Sequence, residues 1–140
     1  MAGCAIALSL ALSGCSDSGP RLVAVAGRVT LDGQPLATGS VTLRPDAAEG
    51  NWEQPTGSIE ADGKYTIYTQ RRPGAPPGKY RVVVFATAPT KDAKGAAHPG
   101  LPTSIVPEIF SDPARTPLEI EVDPVKKAAF DLELLSHVPQ

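Results

Sequence analysis

Only two cysteines occur, Cys4 and Cys15, and both lie in the first fifteen residues. A disulfide framework is therefore excluded for everything downstream, as is a zinc site built on thiolates. Histidine is as scarce, with only His98 and His137. Charge of one sign is lacking too: 13 Lys+Arg face 15 Asp+Glu, the net charge is -2, and no run of Lys or Arg exists. That balance leaves no electrostatic footprint for nucleic acid. Read along the chain, it also offers nothing to anionic lipid headgroups. No window of about twelve residues carries a helical apolar stripe free of Pro and Gly.

Proline and glycine are plentiful, with 15 and 13 residues. They cluster between alternating apolar runs, as turns do in a β domain. A length of 140 residues suits one domain behind a short leader. Once that leader is set aside, about 120 residues can bury roughly two-thirds of their unfolded surface. Stability must then come from core burial alone.

The leader is legible at the N-terminus. Ala5 to Leu12 is an unbroken apolar stretch, far short of the roughly 20 residues that span a bilayer. A short apolar core in this place is the pattern of a secretory signal peptide, although no Lys or Arg precedes it. Leu12-Ser13-Gly14-Cys15 closes the stretch and resembles the bacterial lipobox. The resemblance implies a diacylglyceryl thioether on Cys15, cleavage after Gly14, and acylation (palmitate or similar) of the new amine. Two or more acyl chains anchor stably where one is marginal. The plainer account is an ordinary signal peptide with a chance cysteine near the cut. Ser16 to Pro20 reads as a flexible tether,.

From Leu22 onward the apolar period is two. Val23, Val25, Gly27, Val29 and Leu31 share a face, and Asp32-Gly33 makes a tight turn,. Val41 and Leu43 form a second strand ending at Pro45, and a short strand lies around Ser58 to Glu60. After Asp62-Gly63, Lys64 to Thr69 is a further strand, with Tyr65 and Ile67 opposite Thr66 and Tyr68. Lys79 to Thr87 carries apolar residues on both faces, which suggests a central strand covered on both sides. Leu118, Ile120 and Val122 alternate with Glu119 and Glu121, and Phe130, Leu132 and Leu134 with Asp131 and Glu133. Seven such strands indicate an all-β, two-sheet sandwich.

Taken in order, these segments also resemble a family. Gly27-Arg28-Val29-Thr30 with Asp32-Gly33-Gln34-Pro35-Leu36, and then Gly39 to Leu43, is similar to the opening of carboxypeptidase regulatory-like domains. Asp62-Gly63-Lys64-Tyr65-Thr66-Ile67 and Pro77-Gly78-Lys79-Tyr80-Arg81-Val82 match later steps of that pattern. Val106 to Pro113 with Thr116-Pro117-Leu118 is similar to a stretch of small bacterial lipoproteins carrying the domain. The resemblance covers roughly residues 23–135. It implies a seven-stranded Greek-key sandwich of the prealbumin (transthyretin-like) type. The organisation is then a signal peptide at 1–14, a lipidated tether at 15–22, the sandwich at 23–135 and a tail at 136–140.

Candidate chemistry is thin. Hydrolases of the transthyretin type end in Tyr-Arg-Gly-Ser, whereas this chain ends Ser136-His137-Val138-Pro139-Gln140. A metal enzyme would need His98 and His137 to converge with Tyr or carboxylate ligands; two solvated loop histidines is the plainer account. The expectation is no catalytic residue, no metal and no cofactor. Trp52, in the Glu49 to Pro55 loop, and Tyr68 are the candidate platforms for stacking a sugar. Their plainer roles are to cap one end of the sandwich and to cover a sheet face. Glu119, Glu121, Asp131 and Glu133 would form an acidic stripe if their strands were adjacent. Ala88 to Ser104 is long for a loop in a compact domain and is, with the Trp52 loop, the first candidate for contact with a partner. The expected role is a non-catalytic lipoprotein on the exported side of a bacterial membrane, serving as an interaction or structural module. Its partners are membrane lipid through Cys15 and an envelope protein or glycan; a carbohydrate-binding module is the alternative.

Overall fold

The computed structural model describes residues 19–46, 53–88, 100–126 and 128–137. Strand accounts for 48% of these and helix for 4%, so the expected all-β class holds. Cys15, Trp52 and His98, with most of the 88–104 segment, lie outside the described residues.

The first sheet is built around β1 (Val25–Leu31). At Asp32-Gly33 both residues take positive φ (51° and 81°). The chain therefore reverses tightly into β2 (Gln34–Pro35), which pairs antiparallel with the end of β1. One face of β1 buries Val25 and Val29 completely, and the alternation with exposed Arg28 follows the strand period,.

The second sheet starts with β3 (Ser40–Pro45), which pairs antiparallel with β4 (Thr56–Ser58). The Lys64 to Thr69 stretch, expected as a single strand, divides into β5 (Lys64–Thr66) and β6 (Tyr68–Thr69). β5 pairs with β1, whereas β6 pairs with β4. The Ile59–Tyr65 bridge continues β4's pairing along the same ribbon. This stretch therefore stitches the two sheets together, and its division is the physical consequence of serving both. Gly57 makes the passage possible, because any Cβ there would strike the Thr66 carbonyl.

A turn at Gln70-Arg71 leads to β7 (Arg72–Pro73), paired with β6. β8 (Gly78–Phe85) lies between β3 and, later in the chain, β11 (Glu119–Val122), both antiparallel to it. It is central, as its pattern suggested. Val82 and Val84 are buried on the core face and Val83 on the other, although Phe85 remains 52% exposed. β9 (Thr87–Ala88) pairs with β10 (Thr103–Ser104).

Between Ile105, bonded to the Ala86 carbonyl, and Leu118, bonded to Val82, the chain leaves the edge of β8. This excursion contains α1 (Glu108–Ser111), a single turn behind Pro107. No helix was expected, and one of four residues is too short to leave a periodic signature. Its Phe110, with Val106, joins the main core. Finally β12 (Ala128–Ala129) and β13 (Leu132–Leu134) run parallel to β1 along its other edge.

The two sheets enclose one core in a sandwich-like arrangement. Val25, Val29, Tyr65, Leu132 and Leu134 come from the first sheet, and Val41, Leu43, Val82, Val84 and Ile120 from the second. Alternate side chains thus fill a single apolar interior, which is the dominant stabilising term. Among the described residues no helix is long and apolar enough to cross a membrane.

Candidate functional site

The outer face of the stitched region carries two adjoining hollows. One, of about 420 Å³, is lined by Arg28, Glu60, Lys64, Thr66 and Asp131, with Tyr65 at its base. The other, of about 310 Å³, is lined by Ser40, Thr56, Ser58, Glu60, Thr66 and Tyr68. Glu60 and Thr66 belong to both, so the hollows adjoin along β4 and β5. Register brings Ser40 opposite Ser58 and Thr56 opposite Tyr68, while Glu60 follows β4 and Asp131 precedes β13 in the chain.

The charged half is tied to the backbone. The Arg28 amide donates to the Asp131 carboxylate at 3.1 Å. The Lys64 amide donates to Asp62 at 3.0 Å. That bond, followed by the nearby Lys64 and Arg28 charges, holds the Asp62 carboxyl below its ordinary range. The Tyr65 hydroxyl donates to the Phe130 carbonyl at 2.6 Å. Burial, reinforced by the Asp131 charge, pushes that phenol well above the ordinary range, so it stays protonated and acts as a donor.

The other half is hydroxyl-rich, with Glu60 as its charged group. The Thr42 and Thr56 hydroxyls bond each other at 3.1 Å, and Thr56 also donates to the Val41 carbonyl. Tyr68 is 45% exposed at the rim, an aromatic face beside groups that both donate and accept hydrogen bonds. Of the two platform candidates, Tyr68 stands where the alternation put it. Trp52 lies outside the described residues.

The acidic stripe does not form. β11 and β13 belong to different sheets, and register sets Glu119 opposite Arg81 and Glu121 opposite Lys79. Opposite charges across a strand pair stabilise the sheet modestly, which accounts for the glutamates. His137 is exposed beyond β13. Among the described residues no group of three or more His, Cys, Asp or Glu could hold a metal ion. Sequence reading missed Ser40, Thr56, Ser58 and Glu60 as co-lining residues, since only strand register gathers them.

No family model matches the chain, and neither the curated proteins nor the solved structures give a significant match.

Proposed function

We propose that the chain is an exported lipoprotein, anchored to a bacterial membrane by acylated Cys15, whose domain is a non-catalytic interaction module. In this reading the domain is a seven-stranded Greek-key sandwich of the prealbumin-like, carboxypeptidase regulatory-like type. The Leu12-Ser13-Gly14-Cys15 motif supports the anchor. The ordered Asp-Gly and Pro-Gly-x-Tyr steps within an all-β frame support the family.

One observation carries the role. The stitched region carries an open pair of adjoining hollows, in which the Asp131 carboxylate accepts from the Arg28 amide, the Tyr65 hydroxyl donates to the Phe130 carbonyl, and the Lys64 ammonium pairs with Asp62. That arrangement suits recognition better than bond-breaking, which needs a nucleophile or base within reach of a partner. A photo-crosslinker at Thr66, introduced in the native host, should capture a discrete envelope protein or glycan. A crosslinker at Val125, 85% exposed and outside the hollows, should not. The same captured species at both positions, or none at Thr66, would end this reading.

A second reading, a carbohydrate-binding module, is favoured by Tyr68 standing beside the Ser40, Ser58 and Thr66 hydroxyls and the Glu60 carboxylate. A sugar's C–H face stacks on an aromatic ring while its hydroxyls exchange hydrogen bonds with such groups. Glycan-array binding that Tyr68→Ala abolishes would support it, and no glycan binding by the wild type would remove it.

A further inference from the structure

No run of Lys or Arg appears along the chain, yet the fold gathers arginines that are distant in sequence. Val23 and Ala75 exchange two backbone hydrogen bonds of 2.9 Å, fastening the start of the domain beside β7. Gly19 lies so close to Arg72 that a Cβ on it would strike the guanidinium. Arg21, exposed, falls between those two contacts. Arg71, also exposed, stands on the β6–β7 turn. There Gln70 and Arg71 both take positive φ, 49° and 66°. That conformation is ordinarily filled by Asn-Gly, so the turn displays an arginine where a smaller residue would meet less steric resistance.

We infer that this end of the domain, carrying the exposed Arg21 and Arg71, faces the membrane and binds anionic phospholipid headgroups. The inference rests on the Cys15 anchor. Cys15 and Gly19 are four residues apart in sequence, and an extended chain spans at most about 3.6 Å per residue, so about 14 Å separates them at most. Arginine side chains held that close to the anchor reach the headgroup layer, where the guanidinium fork fits phosphate oxygens. A basic residue near an anionic surface strengthens attachment about fivefold, so the two exposed arginines give about twenty-five-fold. The chain as a whole has a net charge of -2 and is not drawn to such a surface. The arginine end therefore sets which side of the domain turns down, within about a Debye length of 8 Å.

The test uses the native lipoprotein reconstituted in phosphatidylcholine vesicles with and without phosphatidylglycerol. A fluorophore is placed at Gln70→Cys or, at the far end of β1, at Ser136→Cys; Ser136 bonds Asp32 there. With a headgroup-attached quencher, the Gln70 label should be quenched several-fold more than the Ser136 label when phosphatidylglycerol is present. The combined Arg21→Gln and Arg71→Gln variant should erase that difference without lowering the urea midpoint. Equal quenching at both positions, or a difference that survives the double substitution, would overturn the inference. Detergent-phase partitioning separates the two levels. A chain that partitions but shows equal quenching keeps its anchor and loses only this orientation. A chain that fails to partition loses both.

Discussion

The Tyr65 hydroxyl reaches across Gly27 to the Phe130 carbonyl, 2.6 Å away. Gly27 and Tyr65 are directly opposed in the β1–β5 ladder, and a Cβ on Gly27 would strike both the Phe130 carbonyl and the Tyr65 ring. The aromatic ring thus covers the glycine and ties β5 to the segment leading into β13. This arrangement closes the floor of the charged hollow.

Tyr65→Phe keeps the ring and loses the donor, leaving the Phe130 carbonyl without that partner. A loss of about 1–2 kcal/mol is expected in urea unfolding. Tyr65→Ala, which also empties a core position, should cost about 3–5 kcal/mol. Equal costs for the two would mean that the hydroxyl bond contributes nothing.

Alkaline pH should expose the same buried phenol. Burial raises Tyr65, and burial also raises Tyr80. A raised folded-state value means that the native state keeps its protons while the unfolded state gives them up near pH 10. The stabilisation they contribute is therefore complete below about pH 10 and is lost as pH rises beyond it. Urea midpoints measured across that range should fall, and Tyr65→Phe should flatten the fall.

Gly27→Ala should be far more damaging than its single methyl suggests. The added carbon meets backbone, which cannot swing aside as a side chain does. A loss of at least about 2 kcal/mol is expected. Gly33→Ala, with nothing within 4 Å of its Cβ position, should show only the milder cost of its positive φ.

Replacing Gln70-Arg71 with Asn-Gly should raise stability by about 1 kcal/mol or more, because the left-handed pair no longer carries bulky side chains. The urea midpoint reads this directly. An unchanged or lower midpoint would contradict the left-handed geometry of the turn.

Much of this fold was legible. Val25, Val29, Val41, Leu43, Val82 and Ile120 are buried where a period of two placed them, and Asp32-Gly33 turns as its residues dictate. The break at Ile67 was not legible, because it arises from two sheets sharing one ribbon and leaves no local mark. Nor was α1, four residues long behind a proline. At the site, alternation placed Tyr68 outward, but the hydroxyls beside it come from strands whose register only the folded chain fixes. The arginine end was hidden for the same reason: Arg21 and Arg71 lie fifty residues apart in sequence.

Tyr68→Ala removes an exposed ring, so its effect on stability should stay within about 1 kcal/mol. If the hydroxyl-rich hollow holds sugars, isothermal titration with a glycan that binds the wild type should lose its heat in this variant. Binding that survives the substitution would place the sugar elsewhere.

The anchor is tested most directly by the intact mass of the protein purified from native membranes. Expected is a polypeptide beginning at Cys15 and heavier than the bare chain by a diacylglyceryl group, with or without a further acyl chain. An unmodified cysteine at that position, or a chain still carrying residues 1–14, would contradict it.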